Sequence, residues 1–314
     1  VDAPLRLVDE SMHAILDAIF PIFSIIVVGY VFRRIAFPGD AFWPLAARIT
    51  YVAFFPALLV QSLTRAELSE MDVAPMASAL IAAVLLIAAL LIALRRLLRL
   101  PDPAFTSVFQ GSIRPNTYIG LAGAAALHGE TGLALAAIAI AALVPLVNIL
   151  SVAALSRYGG RGRATIGQTL RATAQNPLIL ACAVGLVLNV GGVRLPTQIN
   201  AIIDIFSSAA LPLGLLTVGA GLTFTSLQAS AYPALLASGV KLLVLPLAAL
   251  MVGSMLGVAG PALTIAGLFA ALPCAPAAYV LAQQLGGDAR LMAVILTAQT
   301  LLAAVTLPII ALLW

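Results

Sequence analysis

Hydrophobic positions in this chain come in long unbroken runs. They do not show the alternation of a half-buried strand or the narrow apolar stripe of a soluble helix. A helix needs about 20 mostly apolar residues to cross about 30 Å of hydrocarbon. The stretches 13–32, 41–62, 74–94, 103–128, 131–156, 167–190, 198–221, 231–256, 261–285 and 289–313 reach that length. The period-two pattern of a membrane barrel is absent. The expectation is an all-α membrane protein of ten transmembrane helices, with a polar segment over 1–12. The first run is span length and lacks a small-residue cleavage site, so it reads as a span and not as a removable signal.

Prolines and glycines recur at fixed offsets. Pro21 and Pro177 differ by 156, as do Gly29 and Gly185, and Pro56 and Pro212. Pro115 and Pro276, and Tyr118 and Tyr279, differ by 161. Pro145 and Pro308 differ by 163. The pattern divides the chain into a first five-span repeat over 13–157 and a second over 167–314. Five is odd, so the second repeat enters the bilayer from the opposite face. Such inverted repeats place their sites near the midplane, on discontinuous helices.

Two spans carry the signs of such a break. Span four contains Gln110-Gly-Ser-Ile-Arg-Pro-Asn-Thr-Tyr118, and span nine contains Leu272-Pro-Cys-Ala-Pro-Ala-Ala-Tyr279. A proline inside a helix removes one hydrogen bond and crowds the carbonyl four residues back. Pro115 and Pro273 each lie about 18 Å into their spans at 1.5 Å per residue. Two half-helix N-termini meeting there favour an anion. Arg114 at that depth costs at least about 2.5 kcal/mol unless something compensates it. A bound carboxylate is the simplest compensation, because Arg114 offers a bidentate fork and Asn116 two amide donors.

Composition narrows the function classes. Only 9% of the 314 residues are charged, against about 25% in soluble domains. That excludes a soluble enzyme, a disordered chain and a nucleic-acid binder, despite the net charge of +4. No HExxH, GxSxG or catalytic acid pair is present, so no enzyme is expected. Cys182 and Cys274 have no metal spacing, and no cofactor is expected. Arg33, Arg34, Arg95, Arg96, Arg99, Arg157, Arg161, Arg163, Arg171 and Arg290 fall on one side of the predicted topology. Arg6, Arg65 and Arg194 fall on the other, with Glu67, Glu70 and Asp72. The positive-inside rule makes the first side cytoplasmic and puts both termini outside.

The segment Arg-Pro-Asn-Thr-Tyr at 114–118 is similar to the Asn-Pro-Asn-Thr-Tyr motif of plant auxin efflux carriers. Gly29-Tyr30 with Arg33-Arg34, and Phe55-Pro56-Ala57-Leu58-Leu59, resemble the wider auxin efflux carrier family, which includes bacterial malonate permeases. The resemblance covers nearly the whole chain. It implies a bacterial inner-membrane carrier with an inverted five-plus-five repeat and crossing broken helices four and nine, in the manner of bile-acid symporters. In the plant carriers the motif's asparagines contact the auxin carboxylate. That role carries over to Asn116; the first asparagine is Arg114 here. The extra charge points to a small organic anion, such as a dicarboxylate like malonate, in place of an aromatic monocarboxylate. The long cytoplasmic loop of many plant members is missing.

The expected substrate contacts are Arg114, Pro115, Asn116, Thr117, Tyr118, Cys274, Ala275, Pro276 and Tyr279, with Lys241 and Gln299 beside them. Lys241 lies about 15 Å into span eight. A lysine there can bind an anion, pair with a carboxylate or lose its proton. Asp17, Arg48 and Asp204 are coupling or gating candidates. Arg48 and Asp204 differ by 156 but belong to opposite ends of the bundle, so each is expected to act on its own side. Among smaller polar residues, Gln61, Asn148, Asn176, Asn189, Gln283, Gln284 and Thr300 sit within spans, and Asn176 is a candidate cap. The expected partners are the bilayer and the anion, with proton or sodium as a coupling ion left open and a homodimer open as well. Two other readings stand beside the alternating-access carrier: a sodium-dependent organic-anion symporter, and a ligand sensor that does not transport.

Overall fold

Residues 2–68, 71–159, 166–224 and 231–311 are described by a computed structural model, with side chains from residue 15 onward except that of Ile166. The predicted loop charges Glu70, Arg161 and Arg163 lie outside the described residues, as do the side chains of Arg6 and His13. All regular structure among the described residues is helical. In order these are α1 (Asp2–Arg34), α2 (Phe42–Ile49), α3 (Phe55–Arg65), α4 (Val73–Leu98), α5 (Asp102–Ile113) and α6 (Thr117–Tyr158). Then come α7 (Ile166–Ala174), α8 (Pro177–Val190), α9 (Thr197–Ser208), α10 (Ala210–Ala220) and α11 (Ala231–Gly239). The last are α12 (Leu245–Met255), α13 (Gly260–Ala271), α14 (Ala277–Leu285) and α15 (Ala289–Ala311). The stretch expected as a separate polar segment over 1–12 is helical from Asp2 and continuous with the first apolar run.

Seven of these helical stretches are long and apolar enough to cross a membrane, or eight when the pair Gly167–Ala174 and Pro177–Val190, bent by 57°, counts as one. The protein is therefore a multi-pass membrane protein. Seven or eight is fewer than the ten expected from sequence: α13 is short, and Asp102–Tyr158 forms one apolar stretch of 57 residues. At 1.5 Å per residue that stretch would span about 85 Å if straight. It is not straight. His128 and Gly129 leave helical geometry, and Gly129 adopts φ 54°, ψ −131°, a conformation open to glycine. A β-carbon on Gly132 would lie 2.0 Å from the Ala124 carbonyl oxygen. Residues eight apart in a straight helix are about 12 Å apart, so the chain has folded back on itself.

Prolines explain the other irregularities. Two π turns, Thr50–Phe54 and Val240–Val244, each come just before a proline, Pro56 and Pro246. In each the following amide reaches back five residues, Phe55 to Thr50 and Leu245 to Val240. The widened turn accommodates a ring that would otherwise crowd the preceding carbonyls. Pro21 and Pro177, 156 residues apart, behave differently. The helix runs through Pro21. At Pro177 it restarts, because Asn176 caps the new turn by accepting the Leu178 amide at 2.9 Å.

The most extensive helix contacts are α1 with α10 and α3 with α8. Glycines make both possible. A β-carbon on Gly29 would lie 2.1 Å from the Leu216 carbonyl oxygen, and one on Gly219 would lie 1.8 Å from that of Ile26. Gly185, 156 residues after Gly29, brings α8 to within 2.8 Å of the Leu63 side chain by the same measure. A second set, α4, α5, α11, α12, α13 and α15, packs together, and α6 touches both sets. Large apolar side chains cover the outside; Phe20 is 74% exposed and Val190 83%. That surface suits lipid and no aqueous solvent.

Candidate functional site

The chain leaves helical geometry at Arg114–Asn116, where Arg114 (φ −84°, ψ 119°) and Asn116 (φ −80°, ψ 100°) are extended. It does so again between α13 and α14, where Leu272 is extended. The two breaks touch: the Asn116 amide donates to the Pro273 carbonyl at 2.8 Å. The two breaks predicted from sequence therefore meet at these residues, in a junction we call the crossing.

Broken helices free backbone groups that lipid cannot satisfy. At this crossing side chains take them up. Gln299 on α15 accepts the Cys274 amide at 2.8 Å and donates to the Gly111 carbonyl at 3.0 Å, so one side chain serves both breaks. Lys241 donates to the Ala270 carbonyl at 2.7 Å and to that of Phe269 at 3.4 Å, covering the C-terminal end of α13. Asn116 caps α6, its Oδ1 accepting the Tyr118 and Ile119 amides at 3.1 and 3.4 Å. That role commits the oxygen and leaves Nδ2 as the free end of the amide. Replacing Gln299 by leucine strands a buried donor and a buried acceptor at about 1–3 kcal/mol each. The expected outcome is a loss of at least about 2 kcal/mol, read as a lowered unfolding midpoint in detergent.

A cavity of about 710 Å³ opens beside the crossing. Arg114, Pro115, Asn116, Thr117 and Tyr118 line it from one break, and Ala275, Pro276 and Ala277 from the other. Arg48, Tyr51, Asn148, Asn176, Thr217 and Gln284 add to its polar wall, with Gln168, Thr169 and Thr173 from α7. Other residues of α7 and of the C-terminal end of α14 also line it. Arg114 is buried, and its Nη2 donates to Asn148 Oδ1 at 2.8 Å. Its Nε and Nη1 are buried without a partner. Among the described residues the buried charged side chains are Arg114 and Lys241; no buried aspartate or glutamate accompanies them.

The remaining predicted positions lie elsewhere. Cys274 is buried at the crossing with its thiol directed to the Gln110 carbonyl at 3.7 Å. Tyr279 is half-buried against a core cluster with members on α5, α11 and α15, its hydroxyl accepting from Gln283 at 2.8 Å. Lys241 and Gln299 support the backbone of the crossing and are not among the lining residues. Asp204 pairs with Arg65 at 2.7 Å and accepts from Gln61, well away from Arg48. Asp17 is exposed on α1. Asn189 donates to the Leu63 and Ala66 carbonyls at the end of α3. Thr300 bonds back to Leu296.

A second cavity, about 410 Å³, is lined by Gln61, Ser62, Arg65, Glu67, Glu130 and Thr131. Arg48 and Arg65 sit about 26 Å apart along the same bent helical segment at 1.5 Å per residue, so the cavities belong to its two ends. Buried Phe55, Leu58 and Leu59 separate them on that segment. Phe55 also stacks on Tyr118, with ring centroids 4.5 Å apart.

Comparison with known proteins extends over the same residues. A family model described as "Membrane transport protein" matches residues 14–311. An "Uncharacterized transporter" of Methanothermobacter thermautotrophicus is 25% identical over 297 residues, covering 93% of this chain and 96% of that protein.

Proposed function

Since the chain belongs to the membrane transport protein family, the auxin efflux carrier family, we propose that it carries a small organic anion by alternating access, with the binding site at the crossing of its broken helices. One observation carries the reading. Arg114 is buried on the cavity wall with two unpartnered nitrogens and no buried acid to balance it. A buried cation without a counter-charge is strongly unfavourable, and a carboxylate in the cavity removes that penalty. Asn116 Nδ2, the Thr117 and Tyr118 side chains and the α14 N-terminus stand ready around the same anion. Arg48, also on the cavity wall, attracts it. A dianion such as malonate balances the two cations on the cavity wall, Arg114 and Arg48, which favours a dicarboxylate over an auxin-like monocarboxylate.

Ten spans in an inverted five-plus-five repeat account for the architecture. Spans four and five are the two limbs of the folded-back stretch, and span nine is α13 with α14. The repeat relates the pair α1–α10 to the pair α8–α3, which are the two most extensive contacts. In this reading those helices are the scaffold, and the set with the crossing slides against them as an elevator. The larger cavity then faces the arginine-rich side, taken as the cytoplasm of a bacterial inner membrane, and the smaller one marks the closed outer path. Purified protein in liposomes is expected to move labelled malonate or a related carboxylate, with flux saturating in substrate. Binding without flux would instead support a ligand sensor. Neither binding nor flux across a panel of organic anions would overturn the proposal.

A further inference from the structure

Lys241 is fully buried, yet it does not touch the cavity. It projects from the π turn Val240–Val244, and its ammonium meets the Ala270 and Phe269 carbonyl oxygens. These oxygens belong to the last turn of α13, immediately before the break. The end of a helix gathers partial negative charge and carbonyls without intrahelical partners. In carriers with broken helices such ends, with unwound carbonyls, are where coupling cations are coordinated. No acid lies between Asp204 and Asp288 in the sequence. An ion arriving at these carbonyls would therefore find main-chain oxygens and an ammonium already holding them.

We propose that Lys241 is a tethered substitute for a coupling cation. It neutralises the C-terminal end of α13 from within the chain, so anion binding at the crossing needs no sodium. Removing the ammonium opens a monovalent-cation site on the Phe269 and Ala270 carbonyls. This inference rests on the carrier reading for its transport consequence, but the vacated site is a property of the protein alone.

Unfolding midpoints of the purified wild type, Lys241→Ala and Lys241→Gln in sodium, potassium and choline chloride test it. The wild type is expected to be insensitive to the choice of cation. Lys241→Ala is expected to show a saturable upward shift with sodium or potassium over choline. Lys241→Gln, whose amide can itself donate to the carbonyls, is expected to show none. A folded Lys241→Ala with equal midpoints in all three salts overturns the proposal. Should Lys241→Ala yield folded protein only when sodium or potassium is present, the proposal is supported. Should it fail in every salt, wild-type flux decides: equal flux in sodium and choline supports the inference, and loss of flux in choline overturns it. If no anion is moved in either medium, the carrier reading falls, and a wild-type midpoint raised by sodium over choline overturns the inference while equal midpoints support it.

Discussion

Replacing Arg114 by methionine is expected to weaken organic-anion binding by about 10- to 150-fold, and to leave the empty protein as stable as before or more so. The affinity term follows from losing hydrogen bonds to a charged group, worth about 1.5–3 kcal/mol. The stability term has the opposite sign. In the empty protein Arg114 is a buried cation held by one neutral amide, Asn148, with two nitrogens unpartnered. Removing such a charge relieves a desolvation cost that nothing in the empty site repays. Titrating malonate against unfolding midpoints reads both quantities, because a ligand that binds the folded state raises the midpoint by mass action. Arg114→Asn restores the residue of the plant motif and is expected to shift preference toward monocarboxylates. An unchanged ligand response in both variants would separate Arg114 from the substrate.

The largest stability effect is expected at the α1–α10 contact. Gly219→Ala places a methyl 1.8 Å from the Ile26 carbonyl oxygen, and Gly29→Ala places one 2.1 Å from that of Leu216. Both obstacles are backbone, so no side chain can swing aside and the helices must part. Overpacking of side chains costs about 1–3 kcal/mol; a main-chain clash at this distance belongs at or above the upper end, about 3 kcal/mol. Once one alanine has opened the gap, the second adds less, so the double variant should fall short of the sum. Gly239→Ala is the control. No atom lies within 4 Å of its β-carbon position, and alanine in a helix is favoured over glycine by up to about 1 kcal/mol. Equal midpoints for Gly219→Ala and Gly239→Ala would contradict the close approach.

The breaks were legible in the sequence through proline: Pro115 stands beside the charge of Arg114 and the amide of Asn116, and Pro273 is paired with Pro276. Burial of a guanidinium inside an apolar run has few explanations, so position 114 pointed to the cavity. The family membership was legible from the same motif. Lys241 shows where such reading stops. Its depth was visible, but its partners are main-chain carbonyls on α13, and a carbonyl leaves no mark in a sequence. Gln299 was placed near the break for its position in the last span; that it bonds both breaks at once depends on how α5 and α13 cross. Tyr51 gave no signal, since a tyrosine inside a span ordinarily packs against neighbours. The π turns were hidden for a similar reason. Pro56 and Pro246 announce an irregularity but not its form, and Pro21 announces one that the helix absorbs.

The bond from the Asn116 amide to the Pro273 carbonyl is made between main-chain atoms alone. It does not depend on which side chain stands at position 114, so that residue can be exchanged while the knot of the two halves survives. On the carrier reading proposed above, selection retunes what such a protein carries by altering a single side chain, leaving the machinery around it inherited intact. Diversity of cargo among proteins built this way needs no redesign of the fold.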